Sequence, residues 1–497
     1  MRQVVAITAA MLLAAGAAAQ VGREDFNRQR ERMREQYRQA AAGAREQYGE
    51  ARRKAEAEYA AFREKANADF AAAMQQAWKP VRQEPPKPKP KEPAPPTPPK
   101  PDREKRPTMD RLPQSEVVPR PAPLPPQPLP AIPEAAPSAP TVQFSLYGTP
   151  CQVHADGGSL SFKLRSVDEK GVAEAWKQLS QKKYDGLLHD CLAQREALHL
   201  NDWGYLQLLQ AMSERLLGKG SNEAVLMQMY LYVQSGYKAR IAKQGGRLVM
   251  LVPFNRNIYN YSYVMLDGRP HYVLSSSREG NLEVCQVGFP REQVSNILMT
   301  HLPAVGGQSR TRRTFTSKRY GAVQATVGVD RQLIDFMDNY PLSDAWDYYA
   351  RAGLSEGVKG DLYPILQGQT QGKSPRAAVA LLLDFVQNAF QYATDQEQFG
   401  YERPLFGDES FFYPKNDCED RSILFCILVR DLLGLEVVLV QWPGHLATAV
   451  AFPSEEDGDY FTVNRKHYTV CDPTYIGADV GMTMPQFKNT SAKIVML

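Results

Sequence analysis

The chain has 497 residues, 43% hydrophobic and 23% charged, with a formal net charge of +4. That length holds two or three average domains. The charge is too small to point to a nucleic-acid partner, and six cysteines are too few for a disulfide scaffold. Averages conceal a segmented chain, because 23 of the 37 prolines lie within residues 80–140.

Arg2 gives the N-terminus a positive start, residues 4–15 are a short apolar run, and Ala17-Ala18-Ala19 is a small-residue cleavage site before Gln20. The run is too short to span a bilayer. Residues 1–19 therefore read as a secretory signal, which predicts export to the periplasm or the extracellular space. No later apolar run reaches 18 residues, so no integral membrane segment is expected after signal removal. Export permits disulfides. With one working thiol, five cysteines remain, and two bridges are the most expected.

Residues 20–79 are rich in Ala, Glu, Arg and Gln and free of proline, which predicts one long helix. Phe26, Tyr37, Tyr48, Tyr59 and Phe70 recur every eleven residues, a repeat of 3.67 residues per turn that gives a nearly straight or slightly right-handed coil. Met33, Ala44, Ala55, Ala66 and Ala77 follow each aromatic by seven residues, so a partner helix has room to approach. The stripe is expected to support self-association or docking on an envelope component. A solvated single helix laced by i,i+4 charge pairs is the plainer reading.

Residues 80–141 carry runs such as Pro95-Pro96-Thr97-Pro98-Pro99, a composition that favours extended polyproline II over a packed core. They read as a disordered spacer. Charge sorts the same way. The helix and the spacer are each net +3, whereas residues 142–497 carry 35 basic against 38 acidic groups, net −3.

The C-terminal third holds the chemistry. Residues 375–393 read as an apolar helix, with Ala378, Leu381, Leu382, Phe385, Val386 and Phe390 on one face. Asn416-Asp417-Cys418-Glu419-Asp420 opens a second, over residues 421–433, that Gly434 stops. Strands are expected over residues 435–440, 446–452, 460–463 and 467–470. Cys418 then sits at a helix N-terminus, where free N–H groups and the helix dipole favour a thiolate. His445 begins a neighbouring strand as a candidate base, and Asp472 ends another as its orienter. Nucleophile, base and orienter on three element ends is the arrangement nucleophilic catalysis requires. Cys, His and Asp can also bind zinc, but no C-x-x-C or H-x-x-x-H pair accompanies them.

Asp417-Cys418-Glu419-Asp420 before an apolar helix, Gly444-His445 at a strand start and Cys471-Asp472-Pro473-Thr474-Tyr475 together resemble the transglutaminase-like superfamily over roughly residues 370–480. The resemblance implies an α+β, papain-like core in which a helix with an N-terminal Cys packs on an antiparallel sheet. It implies Cys418 as nucleophile, His445 as general base and Asp472 as its partner. Many relatives follow the His with a small residue and Trp; here Leu446, Ala447 and Thr448 follow, which leaves the acyl-acceptor site undefined. The Cys418 backbone N–H would form half of an oxyanion hole, with Asn416 or Tyr413 as candidates for the other half.

The middle of the chain repeats the plan. Residues 203–217 and 223–233 are apolar helices, followed by strand-like runs over residues 237–242, 247–252, 259–266 and 271–274. Aligned on Gly236 and Gly434, the copy puts Gly220 under Cys418, residues 247–249 near His445 and Ser276 under Asp472, so it lacks the triad. His467 competes with His445 for the base role, but it has a counterpart in His271, which favours a structural role for that pair. Ser221 has no evident base. Residues 142–305 are thus expected to form a degenerate transglutaminase-like domain and residues 306–497 the catalytic one. The expected function is an exported thiol enzyme acting on the amide or peptide bonds of a protein or peptide substrate. Hydrolysis is expected ahead of cross-linking, with no cofactor and no metal. The alternative is a non-catalytic envelope scaffold with two such modules.

Overall fold

A computed structural model describes residues 23–76, 78–88, 101, 109–120, 141–155, 162–181, 184–274, 280–307, 309–317, 319, 323–343 and 345–497. The secretion signal lies outside the described residues. The chain divides into two compact units, residues 1–66 with 129–133, and residues 67–128 with 134–497. Helix α1 (Arg23–Met74) is one uninterrupted element of 52 residues, as its proline-free, Ala-rich composition dictates. In the first unit Tyr37 and Tyr48 stay 49% and 71% exposed.

The second unit begins with the last two turns of α1. It continues through β1 (Lys79–Arg82), β2 (Gln114–Val118) and the hairpin β3 (Thr141–Leu146) and β4 (Thr149–His154). Four helices follow: α2 (Glu169–Ser180), α3 (Asp185–Ala197), α4 (Asp202–Leu217) and α5 (Asn222–Gln234). Then come β5 (Arg240–Gln244), β6 (Arg247–Val252), β7 (Tyr263–Leu266), β8 (Arg269–Val273) and β9 (Asn281–Val284). The hairpin β10 (Arg310–Thr316) and β11 (Gln324–Asp330) leads to α6 (Arg331–Asp338), α7 (Trp346–Ala352), α8 (Glu356–Thr370) and α9 (Pro375–Ala389). Short elements β12 (Gln391–Tyr392), α10 (Asp395–Gln398), α11 (Glu409–Phe412) and β13 (Lys415–Asn416) precede the long helix α12 (Cys418–Leu433). The chain then forms β14 (Glu436–Trp442), β15 (His445–Ala451), β16 (Tyr460–Val463), β17 (Lys466–Cys471) and β18 (Ala492–Met496).

The result is an α+β unit with two six-stranded sheets. The first has strand order β1-β9-β5-β6-β8-β7 and is antiparallel throughout. The second runs β16-β17-β15-β14-β18-β2 and is antiparallel except for the β18–β2 pair. In each, the two strands after a buried helix pair through a two-residue turn, closed by Gln244 opposite Arg247 and by Trp442 opposite His445. The inward faces are aliphatic: Val249, Leu251 and Val284 in the first sheet, Val438, Ala449, Val470 and Ile494 in the second. Each fully buried Val, Leu or Ile contributes about 1.5–3 kcal/mol, so these faces fix the register of both sheets.

Two stretches of the expected spacer differ from that reading. Residues 79–82 and 114–118 are strands, each added to an outer edge of a sheet. Pro80 fits because β1 is an edge strand, where a missing N–H costs no ladder bond, and Val81 packs on the first core. The second strand, Gln-Ser-Glu-Val-Val, is a proline-free window. The globular unit also takes in the end of α1. Asn67 exchanges hydrogen bonds with Gln234 and accepts from Trp176 Nε1 at 3.0 Å, and the Phe70 ring lies 4.8 Å from Trp176. All six cysteines are buried free thiols. Among the described residues no helix is long and apolar enough to cross a membrane.

Candidate active site

Helix α12 starts where the sequence indicates. Asp417 is the N-cap, and its N–H donates to the side chain of Asp420 in a capping box; Gly434 ends the helix in the left-handed region at φ 64°. Cys418 is thus the first helical residue. The helix packs on α9 and on β14 and β15. One turn in, Ser422 Oγ donates to the Leu446 carbonyl at 2.9 Å, and the Leu446 backbone N–H hydrogen-bonds the Cys418 sulfur. The start of β15 is therefore tied to the head of α12 at two points, with His445 the residue just before the tie.

His445 follows Pro443 and Gly444. The latter sits at φ 73°, a conformation that favours glycine. The imidazole stacks on the Phe487 ring at 5.1 Å with 3° between planes, which fixes its orientation. His445 Nε2 lies 2.8 Å from Asp472 Oδ2. The other oxygen, Asp472 Oδ1, accepts from the backbone N–H groups of Thr474 at 2.9 Å and Tyr475 at 3.1 Å. With Nε2–H donated to the carboxylate, His445 Nδ1 is the basic nitrogen, and it has no hydrogen-bond partner among the described residues. The loop that carries Asp472 is itself anchored. The Gln387 amide of α9 donates to the carbonyls of Asp472, Tyr475 and Ala478 and accepts from Gly477 N–H at 3.0 Å. The structure thus joins His445 to Asp472 directly, and Cys418 to the same strand start through Leu446.

Electrostatics differ from the sequence expectation. Burial raises the Cys418 thiol well above its ordinary value, and the carboxylates of Glu419 and Asp417 push it further, against the Leu446 N–H. The thiol donates to Glu419 Oε2 at 3.2 Å. The helix N-terminus is present, but desolvation and two flanking acids outweigh it, so the resting group is a thiol. Cys418, His445 and Asp472 are 4%, 0% and 2% exposed, so the centre is closed. Tyr392, 38% exposed, lies within Coulomb range of Cys418 and beneath the Arg421 guanidinium, which is 5.5 Å from its ring.

Of the two candidate oxyanion donors, Tyr413 is engaged elsewhere: its hydroxyl donates to Asp338 at 2.6 Å and Arg403 covers its ring. Asn416 is 1% exposed, and neither Oδ1 nor Nδ2 has a hydrogen-bond partner among the described residues. His467 is in a different setting from His445, stacked on Tyr460 at 4.3 Å and 3.8 Å from Glu455. Cys426 is wholly buried, and burial raises its thiol pKa.

Sequence reasoning missed Gln387 and Phe487, whose roles depend on contacts far along the chain. It also missed an acidic trio. Asp395, Asp417 and Glu419 are buried, with carboxylate oxygens within 4.8 Å of one another. Such an oxygen-only donor set suits a hard divalent cation. The Asp-Cys-Glu-Asp run carries two of the three acids; α10 brings in Asp395. Compared with known proteins, the chain matches no family model, no curated protein and no solved structure.

Proposed function

We propose that the chain is an exported thiol enzyme of the transglutaminase-like type that cleaves amide bonds in a protein or peptide substrate. One observation carries the reading: His445 Nε2 is held by Asp472 while Nδ1 is left unbonded at a strand start tied to Cys418. Cys418 gives its proton to His445 Nδ1 as the sulfur attacks the carbonyl carbon. The imidazolium, stabilised by Asp472, returns that proton to the leaving amine. A water then attacks the thioester, again losing its proton to Nδ1, and the acid and the free thiol are released. A lysine amine in place of that water would give cross-linking instead. Asn416 is the second oxyanion donor beside the Cys418 N–H, because its buried amide lacks a partner.

We also read the two halves as copies of one papain-like plan. The matching strand orders support this, as does a local detail. Asn222, the first residue of α5, accepts the Leu248 N–H on Oδ1 at 2.9 Å, as Cys418 accepts the Leu446 N–H. That moves the counterpart of Cys418 from Gly220 to Asn222 and puts Arg247 opposite His445. His271, at the position of His467, is wholly buried and held near neutrality of charge by desolvation, which lowers its pKa to about 4.

The test is a cysteine-directed activity probe applied to the folded chain at neutral pH with peptide and cell-wall fragments as candidate substrates. Labelling at Cys418 that is lost in His445→Ala, with product release lost in Cys418→Ala, upholds the reading. The closed centre and raised thiol favour the other reading, a non-catalytic scaffold. Labelling no faster than that of a denatured control thiol would establish it.

A further inference from the structure

At the end of α12 opposite Cys418, about 20 Å along the helix, a cavity of about 660 Å³ opens between α7, α12 and β14. Its walls carry Arg120, Arg351, Lys359 and Arg430 against the acids Asp431 and Glu436. Both acids already have partners. Asp431 binds Arg430 Nε at 2.9 Å and accepts from the Tyr363 hydroxyl at 2.8 Å; Glu436 binds Lys466 at 2.8 Å and the Tyr468 hydroxyl at 2.9 Å. Arg430 is likewise satisfied, since its Nη1 donates to the Ala350 carbonyl.

Arg351 is not. Its Nε and Nη2 are shielded from solvent and have no hydrogen-bond partner among the described residues. Burial lowers its pKa; Asp347 opposes this without bonding it, and Arg120 and Arg430 add to it as like charges. A guanidinium edge with two parallel N–H donors and no partner, on a residue that lines the cavity with a second guanidinium, matches an oxyanion that accepts bidentately. Leu435, Val438 and Met496 line the cavity beside it, so the space takes more than the anion alone.

We infer that this cavity is a binding site for a multiply charged phosphate ligand, a phosphate monoester or a pyrophosphate, held by the Nε and Nη2 edge of Arg351 with Arg120 closing over it. The site is separate from the Cys418 centre and stands whether or not that centre is catalytic.

The experiment is calorimetric titration of the chain from residue 20 to 497, at 150 mM NaCl, with inorganic phosphate, pyrophosphate and glycerol 3-phosphate, and with sodium sulfate at matched ionic strength. Saturable binding of one phosphate probe per chain is expected, with sulfate weaker. Arg351→Gln should weaken it about tenfold or more, the loss of charge-assisted hydrogen bonds, and Arg120→Gln by a smaller factor. Arg247→Gln, a basic residue of the first half, should leave it unchanged. Preference for glycerol 3-phosphate over inorganic phosphate identifies an organic phosphate that uses the apolar wall; the reverse order identifies the inorganic anion. Absence of saturable binding overturns the site, as does binding that survives both substitutions. If Arg351→Gln does not fold, the exposed Arg120 decides alone.

Discussion

At the scale of single residues, the two oxygens of Asp472 have different tasks, and that makes its amide a sharp probe. Oδ1 accepts two backbone N–H groups while Oδ2 faces His445 Nε2. In Asp472→Asn the carbonyl must turn to the two N–H donors, which leaves the NH2 facing Nε2. His445 then carries its proton on Nδ1 and cannot accept from Cys418. Activity should fall by about three to four orders of magnitude, with unfolding midpoint and substrate KM little changed; retention of more than a tenth of the activity would refute this tautomer argument. Asn416→Ala should lower kcat by about 100-fold or more at constant KM, measured by steady-state kinetics on whichever substrate the probe identifies. The placement of Cys418 at a helix start and of His445 and Asp472 at strand ends was legible in sequence, because caps and strand ends are local signals. The protonation state of Cys418 was not, because it depends on the burial of the thiol beside Glu419 and Asp417.

At the scale of elements, α9 does more than cover the sheet. Its Gln387 side chain, 2% exposed, is the clamp on the loop of residues 472–478. Gln387→Ala strands buried carbonyls and the Gly477 N–H, and should cost about 3 kcal/mol, read as a lower urea midpoint. Because the loop carries Asp472, catalytic activity should fall further than the unfolded fraction explains. Equal losses in the two would mean that Gln387 serves stability alone. The apolar face of α9 was plain from its periodicity, but a buried glutamine on a helix looks in sequence like any solvated one. The same blindness applies to β1 and β2. Proline-rich composition announces a spacer, and nothing local reveals that four or five residues of it complete a sheet edge.

For the whole molecule, buried titratable groups set how stability responds to pH. Burial raises the Glu409 carboxyl to about 8, with Asp338 and Asp420 adding to the shift against the opposing Arg403. The native chain therefore holds a proton that the unfolded chain releases near the ordinary carboxylate value. Stability from this group is present at low pH and is lost as pH rises through about 8. His271 acts in the other direction: its pKa of about 4 means that the unfolded chain takes up a proton first as pH falls below about 6.5. Between pH 7 and 8 His271 is largely neutral in both states, and the trend is set by Glu409 together with Asp420, whose carboxyl burial raises to about 7. Tm should fall across that window, and Glu409→Gln, which keeps an acceptor for the Phe406 N–H, should flatten the slope. Thermal unfolding at half-unit pH intervals for the two proteins tests this, and parallel curves would exclude Glu409 as the source. No feature of the Asp408-Glu409-Ser410 stretch marks the residue in sequence. Its shift arises because the first three residues of α11 are folded into the interior, where Arg403 is the one ion-pair partner of Glu409 among the described residues.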